Sequence, residues 1–502
     1  MRTKNSLKNI ISVVIFNLVV GILGFIKVRV FVNGLSNDVY SLNQLFYQIF
    51  SYLTIADVGF GLVLNQKLYS AFAKNDKTTI NKIYSTSKKF YKILGSILMI
   101  VALIISFFVH FLTKAEISNS YIQIVFIIFM IRNVVDYYFI APRYVMEADQ
   151  KSYKINHLIK GIKIVETIIE IVLVLMGVDY LLILIPGIII TIIVDMYINN
   201  KVYKEYPWLE NKYAFNKNYL SGTKDLIYLK LAGIMNSNTD IILISTFVNP
   251  LSVIIYTSYS YITKFVSDTV YIIATSITPS YANVICKENC EKSYSVFTEI
   301  NIFFLFIASF VCIMFYAFLN PLISFWVGKE YLTSNFVLFL FCIIAFQNIA
   351  MRAVNITINS KALFKETKIF TIIETLINLF LSLILVHKFG LAGVLLGTII
   401  SYFSTVFIQK AYYIYKHVFN KKPIFYFLNY TVVLLITFGL MFVIEILNVE
   451  ISNLFNWFIY VISGVIIVGL LLFIIFYICF KSFRNLVFRG IEFIKVKGKY
   501  TD

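Results

Sequence analysis

Long apolar stretches alternate along the chain with short polar segments rich in lysine. A helix needs about 20 mostly apolar residues to cross a lipid bilayer, and by that criterion the sequence predicts fourteen spans. Their approximate bounds are 10–32, 40–64, 91–112, 120–142, 157–177, 180–199, 225–248, 252–276, 297–319, 334–357, 368–387, 391–409, 424–446 and 457–480. The first stretch is too long for a removable signal peptide and lacks a small-residue cleavage site. We therefore expect an all-α polytopic membrane protein.

The composition excludes the soluble classes of protein. Of 502 residues, 59% are hydrophobic and 14% are charged, and the mean hydropathy is +0.82. Soluble domains carry about 25% charged residues, and a soluble globule with this balance would expose large apolar patches and aggregate. A soluble enzyme, a disordered chain and a collagen-like fibre are therefore excluded.

The positive charges mark one side of the membrane. The chain has 44 Lys and Arg against 26 Asp and Glu, a net charge of +18. With the N-terminus inside, 32 of the Lys and Arg residues fall in cytoplasmic segments and 3 in outer loops. Cytoplasmic loops of membrane proteins carry such an excess, so both termini are predicted to be cytoplasmic. The same distribution accounts for the net charge without nucleic acid as a partner.

Three short matches indicate two copies of a six-span unit. Residues 31–41 and 247–257 are identical at six of eleven positions. Residues 164–169 match 372–377, and Gly187 matches Gly397, so the three offsets are 216, 208 and 210 residues. An even number of spans per copy gives parallel repeats about an axis along the membrane normal. The predicted domains are an N-terminal lobe at 1–212 (spans 1–6), a C-terminal lobe at 213–418 (spans 7–12), and spans 13–14 with a basic cytoplasmic tail at 419–502.

Charged side chains inside the predicted spans are the main functional signal. Each costs about 2.5–3.5 kcal/mol at a helix centre, so it usually faces protein or a water-filled cavity. The cations are Lys27, Arg29, Arg132, Lys160, Lys163, Lys230, Lys264 and Arg352. The acids are Asp57, Asp136, Glu166, Glu170, Asp240, Asp268 and Glu374. These charges are the candidate functional residues.

Some of these charges could instead neutralise one another. Arg132 with Asp136, and Lys264 with Asp268, stand four residues apart on one helix face and could form structural ion pairs. Cations without an acid on their own helix could snorkel towards the membrane surface or pair across helices. Two acids of span 5, Glu166 and Glu170, lie one turn apart, and repulsion between like charges leads us to expect that one of them holds a proton.

Polar residues recur at helical spacing in spans 2 and 8, the equivalent spans of the two copies. The polar residues of span 2 are Gln44, Tyr47, Gln48, Ser51, Thr54 and Asp57. Those of span 8 are Thr257, Ser260, Lys264, Ser267, Asp268, Tyr271, Thr275 and Thr278. Two such helices facing each other would form a hydrophilic cleft between the lobes, although such residues also serve in helix–helix packing. The small residues of Gly390–Gly397 are interpreted as a packing face.

Several motifs of enzymes are missing. The sequence has no P-loop motif, no Asp-x-Asp run and no large outer loop that could hold a catalytic domain. The four histidines are scattered, and Cys286 and Cys290 have no companion at metal-ligand spacing. No enzymatic activity, metal site or cofactor is therefore predicted.

Three segments stand out once the spans are aligned as two lobes plus two added helices: Asn33–Tyr40 between spans 1 and 2, Asp57–Gly59 near the end of span 2, and Phe389–Gly397 at the start of span 12. With these segments the sequence resembles the multidrug/oligosaccharidyl-lipid/polysaccharide (MOP) exporter superfamily. Within it, the chain most resembles the Wzx-type flippases of polysaccharide repeat units.

The resemblance implies a MATE-like fold and a flippase of the bacterial plasma (inner) membrane. Such a protein moves undecaprenyl-diphosphate-linked oligosaccharide to the outer leaflet for O-antigen or capsule synthesis, by alternating access through a charged central cleft. A diphosphate can be received by Lys and Arg, so the eight cations are the expected substrate-binding residues. The expected ion-coupling residues or charge partners are Asp57, Asp136, Glu166, Glu170, Asp268 and Glu374. Na⁺ or H⁺ is the expected coupling ion, and membrane lipid and the polysaccharide polymerase machinery are the expected partners.

Three alternatives stay open. A cation-coupled multidrug exporter of the same superfamily would need an acid-dominated, aromatic cleft and usually twelve spans. A flippase for the lipid-linked peptidoglycan precursor would share fourteen spans and a cationic cleft. A membrane glycosyl polymerase would need a large outer loop.

Overall fold

The computed structural model describes residues 19–220, 238–447, 451 and 453–498. In this part of the chain the regular structure is entirely helical. The first ten α-helices are α1 (residues 19–34), α2 (Asn37–Leu53), α3 (Ile55–Ala73), α4 (Lys77–Ser106), α5 (Asn119–Val134), α6 (Ala141–Ala148), α7 (Tyr153–Leu175), α8 (Tyr180–Glu205), α9 (residues 238–247) and α10 (Pro250–Lys287). The others are α11 (Cys290–Trp326), α12 (Asn335–Ala350), α13 (Arg352–Ser360), α14 (Phe364–Phe389), α15 (Leu391–Ser404), α16 (Val406–His417), α17 (Ile424–Leu447), α18 (Leu454–Cys479) and α19 (Lys481–Gly498). Short 3₁₀ turns lie at Val109–Leu112, Val135–Tyr138, Lys217–Leu220 and Lys329–Tyr331. The predicted all-α fold is confirmed.

Nine helical segments of the described residues are long and apolar enough to cross a membrane. They are Lys77–Ser106, Asn119–Tyr138, Tyr180–Glu205, Cys290–Trp326, Asn335–Ser360, Phe364–Phe389, Leu391–His417, Ile424–Leu447 and Leu454–Cys479. These nine coincide with predicted spans 3, 4, 6 and 9 to 14. Spans 1, 2, 5, 7 and 8 stay predictions, and they are the spans that carry most of the candidate charges. The described parts of α1, α2 and α9 are short, with 16, 17 and 10 residues. Helices α7 and α10 have 23 and 38 residues, and their charged and polar side chains make them less apolar than the nine.

The chain divides into two compact units, unit 1 (Met1–Ile254) and unit 2 (Ile255–Asp502). This boundary lies beyond the repeat-based boundary at residue 212, because α9 makes its hydrogen bonds within unit 1. The Tyr52 and Thr239 hydroxyls are 2.5 Å apart, and the Ser245 carbonyl accepts from the Lys114 amide at 3.0 Å. Thr246 also donates to the Leu112 carbonyl at 3.1 Å. The residues at the start of the predicted second copy therefore belong, by their contacts, to unit 1.

In unit 1, α8 packs against α5 and α7, and α4 packs against α3 and α5. Buried aromatic residues join α2 to α5, since the Phe46 ring lies 5.0 Å from Phe126 and 5.7 Å from Phe129. Next to them, the buried Tyr180 hydroxyl donates to Asn43 Oδ1 at 2.6 Å. These contacts hold the helices that carry the candidate site.

In unit 2, α11 packs against α12, α17 and α18. Large apolar side chains of α18 remain exposed, among them Phe455, Ile467 and Ile478, as expected for a helix that faces lipid. The hairpin of α14 and α15 is tight because a Cβ atom at Gly393 or Gly397 would collide with the backbone of α14 at Leu385 or Ser382. The predicted packing role of the Gly390–Gly397 face is confirmed.

The helices of predicted spans 4 and 10 are both interrupted. In unit 1, α5 ends at Val134, a 3₁₀ turn follows, and α6 begins one residue before Pro142. Proline in the first turn of a helix is tolerated, but it cannot continue a preceding helix because it lacks an N–H group and clashes with the turn before it. In unit 2, α12 ends at Ala350 and α13 begins at Arg352. The repeat stays a prediction, and the interruption after α5 determines where the side chain of Asp136 points.

The long helix α4 begins at Lys77 because Asp76 caps it. Asp76 Oδ1 accepts from the Thr79 amide at 2.9 Å and from the Thr78 hydroxyl at 2.7 Å, and Oδ2 accepts from the Thr79 hydroxyl at 2.5 Å. A side chain at this position satisfies an amide that has no partner within the helix. The Thr79 hydroxyl and amide, followed by the Thr78 hydroxyl, lower the pKa of Asp76 to about 2.

We expect Asp76→Ala to loosen the first turn of α4. Because the pKa of Asp76 is lowered on folding, its cap is fully present above about pH 4, the usual aspartate pKa, and is lost as the pH falls towards about 2. At neutral pH, hydrogen exchange at the Thr78 to Ile80 amides should be faster in the variant than in the wild type. At about pH 2 the two proteins should no longer differ. Lys74→Ala, just outside the cap, is the control and should exchange like the wild type; equal protection in all three proteins at neutral pH would contradict the cap.

Candidate functional site

Unit 1 brings together five of the predicted charges in one cluster, which we call the Arg132 cluster. Its members are Lys27 of α1, Arg132 of α5, and Lys163, Glu166 and Glu170 of α7. The two glutamates are buried, with 5% and 3% of their surface exposed. They stand one turn apart on α7 and therefore share one face of that helix.

Glu170 holds two cations at once. Lys27 Nζ forms an ion pair with Oε2, and Arg132 Nη2 forms one with Oε1. Lys27 Nζ also lies 4.8 Å from the centre of the Phe31 ring, a distance at which the ring attracts a cation. Glu170 thus links α1 to α5 through α7.

Glu166 extends the cluster by one turn. Its Oε2 lies 3.7 Å from Arg132 Nη2 and 3.9 Å from Lys163 Nζ, and Thr191 of α8 donates to Oε1 at 3.0 Å. Both glutamates therefore form ion pairs with cations. From the sequence, a proton on one glutamate is expected because their like charges repel each other. In the structure, Lys27, Arg132 and Lys163 offset that repulsion.

A glycine of α8 makes room for the guanidinium group. A Cβ atom at Gly187 would lie 2.5 Å from Arg132 Nε and 2.9 Å from Cζ, both far closer than van der Waals contact. Arg132 therefore lies directly on the bare backbone of α8. The sequence analysis used Gly187 only as evidence for a repeat and missed this role.

The cluster has three cations and two acids, so one positive charge is in excess. Ion pairs taken out of water have a high desolvation cost, and removal of one partner from a buried pair typically costs about 3–5 kcal/mol. Arg132 and Glu170 form such a pair, since 12% and 4% of their side-chain surfaces are exposed. Lys163 differs, because 73% of its side chain is exposed and it can reach a ligand without leaving a buried partner.

Neither predicted pair along a single helix forms. Asp136 pairs with Arg143 at 2.8 Å, whereas Arg132 pairs with the glutamates of α7. The physical reason is the end of α5 at Val134, because the 3₁₀ turn that follows rotates Asp136 away from the face of Arg132. Lys264 and Asp268 are both exposed on α10 without an ion pair in the described residues, in keeping with the small stabilisation that exposed pairs provide.

The structure also describes four other predicted charges of unit 1. Arg29 is exposed on α1, two residues from Lys27 and hence on another face. Lys160 is half-buried one turn before Lys163. Asp57 is half-buried on α3 and accepts from the Tyr137 hydroxyl at 3.3 Å. Asp240 of α9 is buried, and Lys230 lies outside the described residues.

In unit 2, the strongest candidate cation is Arg352 at the start of α13. Its Nη2 donates to the Ser267 carbonyl at 3.3 Å, and its guanidinium carbon lies 4.9 Å from the centre of the Tyr271 ring. Both of these partners are uncharged, while the negative charge of Asp268, on the same helix α10, also acts on Arg352.

The second repeat does not reproduce the double acid. Glu374 of α14, which matches Glu166, is 8% exposed, and the charge of Lys410 on α16 acts on it. One turn later Asn378 stands where the repeat places Glu170, and it donates to the Thr398 hydroxyl at 3.0 Å. At these matched positions, unit 1 has two acids while unit 2 has an acid and an amide.

The sequence analysis also missed an ion-pair group beside Asp136. Arg143 of α6 contacts both Asp136 and Asp195 of α8, and Asp195 is 1% exposed. Asp195 lies inside predicted span 6, and an acid within such an apolar stretch could have been identified from the sequence as a further candidate residue. Arg143 directly follows predicted span 4, and in the sequence it is one of the 32 Lys and Arg residues assigned to cytoplasmic segments.

Comparisons with known proteins identify the class of fold. No protein-family model and no curated protein matches the chain. The structure is similar to that of the lipid II flippase MurJ in an inward closed conformation, with a TM-score of 0.68 and 17% identity over 94% of this chain and 100% of that one. It is similar to an inward-facing multidrug resistance MATE family transporter of the MOP superfamily, with a TM-score of 0.59 and 14% identity over 76% and 91%. It is also similar to a variant of the Vibrio cholerae MATE transporter VcmN, with a TM-score of 0.51 and 13% identity over 80% of this chain and 95% of that one.

The chain is therefore a multi-pass membrane protein with the all-α fold of membrane transporters. More particularly, its fold is the one shared by MATE transporters and the lipid II flippase MurJ. The predicted resemblance to MOP exporters is confirmed at the level of the fold, while the Wzx-type assignment stays a prediction.

Proposed function

We propose that this chain is a flippase that moves an undecaprenyl-diphosphate-linked oligosaccharide across the bacterial inner membrane by alternating access. In this proposal both termini are cytoplasmic, the substrate is a repeat unit of O-antigen or capsule, and the polymerase machinery receives it outside. The fold shared with MATE transporters and MurJ supports a transporter. The substrate class is supported by the charges of unit 1.

The observation that carries the proposal is the Arg132 cluster. Guanidinium and ammonium groups bind phosphate oxygens through charge-assisted hydrogen bonds, and the planar fork of arginine suits a diphosphate. Cations in such an apolar surrounding need partners until the ligand arrives. Glu166 and Glu170 hold Arg132 and Lys27 in place in the meantime, and the excess positive charge gives a net attraction for an anion.

Polar residues of α2, of which Tyr47 acts on Arg132 of the cluster, suit the sugar part of the substrate. On α2, Gln44, Tyr47, Gln48 and Ser51 are all half-buried. Their amide and hydroxyl groups can exchange hydrogen bonds with sugar hydroxyls. An apolar polyprenyl tail can remain in lipid, next to helices with exposed apolar side chains such as α18.

A second candidate function is a flippase for the lipid-linked peptidoglycan precursor. The observation in its favour is the extent of the structural likeness, because MurJ matches 94% of this chain and the MATE family transporter of the MOP superfamily 76%. Both flippases would use a cationic site for a diphosphate. Growth separates them, since loss of the peptidoglycan-precursor flippase should stop cell growth.

Deletion of the gene should remove surface polysaccharide and leave single lipid-linked repeat units on the inner leaflet. The pools would be extracted and identified by mass spectrometry, and a membrane-impermeant enzyme that modifies the sugar would report which units face outward. Re-expression of the wild-type chain is the control and should restore the polymer. Repeat units accessible from outside would contradict the proposal and indicate a polymerase, arrest of growth would favour the second candidate, and unchanged pools would indicate a drug exporter.

A further inference from the structure

We propose that helix α19 binds anionic phospholipid headgroups at the membrane surface where α18 ends. The sequence predicts this surface to be the cytoplasmic one. The recognised group is the negatively charged phosphate of the lipid, and the binding residues are Lys481, Phe488 and Arg489 of α19. The proposal concerns how unit 2 is anchored in its membrane, and it is independent of the proposed function.

The chain changes its character at Phe480. Helix α18 has 26 residues and no charged side chain, whereas the 18 residues of α19 include five Lys or Arg and one Glu. Phe480 between the two helices is extended, with φ −120° and ψ 110°, so α19 does not continue the axis of α18. Ile474 and Ile478 near the end of α18 are exposed, as expected of a helix that faces lipid. Helix α19 therefore begins where this lipid-facing surface ends.

Contacts with α11 and α18 hold α19 along one of its faces. The ring centre of the buried Phe483 lies 5.3 Å from that of Phe306 on α11 and 5.5 Å from that of Phe473 on α18. Arg484 Nη1 donates to the Ile478 carbonyl at 3.2 Å, in the last turn of α18, where carbonyl groups lack a partner within their own helix. Because these contacts come from two other helices, α19 is a docked helix with a fixed exposed face.

An ion pair joins the middle of α19 to α11. Arg489 Nη1 lies 2.9 Å from Glu299 Oε2, and Nη2 donates to Oε1 at 3.1 Å, so the fork of the arginine matches the carboxylate. Glu299 is 4% exposed, whereas 50% of the Arg489 side chain is exposed. The charge of Lys292, exposed on α11, also acts on Glu299. One acid thus faces two cations, and the exposed part of Arg489 is accessible to a second anion.

The exposed face of α19 combines positive charge with an aromatic ring. Lys481, Asn485 and Phe488 are all exposed, and steps of four and three residues place them on one face of the helix. Phe488 is 54% exposed, which is unfavourable for a large ring in water. Helices that lie at a membrane surface combine Lys and Arg with Phe, Trp or Leu side chains that enter the boundary between headgroups and acyl chains. This face therefore suits a phosphate group with acyl chains beneath it.

Charge complementarity favours a lipid phosphate as the occupant. The five Lys and Arg residues of α19 outnumber Glu492 and Glu299, which leaves an excess of three positive charges. A membrane surface that contains anionic lipid attracts basic residues that directly follow a membrane span, and each of them raises the affinity about fivefold. Because only Phe480 separates α19 from α18, these cations lie next to the surface that they would bind.

Quenching by brominated lipids tests the site in the full chain. In Phe488→Trp, the new indole reports on the lipids next to α19 once the fluorescence of the wild-type chain is subtracted. Vesicles of phosphatidylcholine and phosphatidylglycerol would carry bromine on the acyl chains of one lipid at a time. Brominated phosphatidylglycerol should quench the new indole more strongly than the same amount of brominated phosphatidylcholine. High salt should reduce this difference, because it screens the attraction between exposed charges.

Two further variants assign the lipid preference to the charge of α19. Lys481→Gln in the Phe488→Trp chain should lower the preference for phosphatidylglycerol about fivefold. Lys388→Gln removes an exposed lysine of α14, and as the matched control it should leave the preference unchanged. Equal quenching by the two lipids would overturn the recognition of anionic headgroups. A new indole that neither lipid quenches would overturn the contact with lipid and leave an acidic protein as the partner of this face.

Thermal unfolding of chains without the added tryptophan provides a second measurement. A ligand that binds only the folded state stabilises it, so the wild type and Lys388→Gln should melt at a higher temperature in phosphatidylglycerol than in phosphatidylcholine. Lys481→Gln should show a smaller increase. The same increase in Lys481→Gln as in the wild type, or none in the wild type, would overturn the proposal. Neither measurement uses a transported substrate, so failure of the proposed function would leave both results unaffected.

Discussion

Replacing Arg132 by glutamine is expected to abolish transport and to lower stability by about 3–5 kcal/mol, the typical cost of removing one partner of a buried ion pair. The variant removes the cation that contacts both buried glutamates, so two negative charges then face only Lys27 and Lys163. Transport would be measured as restoration of surface polysaccharide in cells that lack the gene. Stability would be measured by thermal unfolding of the purified protein.

A double variant separates binding from structural support. In Arg132→Gln with Glu170→Gln, both members of the buried pair are neutral, so part of the lost stability should return. Transport should stay absent, because the guanidinium group that receives the diphosphate is still missing. Lys154→Gln is a matched control that breaks a half-buried pair with Glu205 near the end of α8, for which we expect under about 1 kcal/mol. Transport by the double variant at the wild-type rate would show that Arg132 serves only to hold the helices together.

The second large effect is expected from Gly187→Ala. The new methyl group would lie 2.5 Å from Arg132 Nε, so the guanidinium group must leave its place on α8. Displacement of the guanidinium group weakens its buried pair with Glu170 but leaves both charges in the protein, so the loss of stability should be smaller than that of Arg132→Gln. Transport should fall about tenfold or more, equivalent to the loss of one hydrogen bond to a charged group at about 1.5–3 kcal/mol.

Gly161→Ala is the matched control for this variant. Gly161 lies in helix α7 of the same unit, and no described atom beyond the adjacent backbone of α7 lies within 4 Å of the Cβ atom that alanine would add. It should transport like the wild type, in the same complementation assay and at the same membrane level. Equal transport by the two alanine variants would contradict the positioning of Arg132 by α8.

The sequence predicts the helical fold well, because length and apolarity alone determine most spans. Nine of the predicted spans recur as long apolar helices in the described residues. Hydropathy is less decisive for α7 and α10, since candidate charges and polar residues make these helices less apolar. The boundary between the units was not predictable from the repeat, because Tyr52, Lys114 and Leu112 hold α9 through tertiary hydrogen bonds.

The sequence predicts the members of the site better than their pairing. Every residue of the Arg132 cluster was a candidate because it is a charge inside a predicted span. The pairing of Arg132 with Asp136 was wrong because it assumed a continuous helix, whereas α5 gives way to a 3₁₀ turn ahead of Pro142. The pairing with Glu170 depends on helix packing against a glycine of α8, and local spacing carries no information about that contact.

The most direct test of the proposed function is flipping by the purified protein. The chain would be reconstituted into lipid vesicles that contain an undecaprenyl-diphosphate-linked oligosaccharide in both leaflets. A membrane-impermeant enzyme outside would modify the exposed sugars. With the wild type nearly all of the substrate should become modified, while vesicles with Arg132→Gln should stop at about half, the fraction in the outer leaflet from the start. Modification that stops at half with the folded wild-type protein would contradict the proposed function.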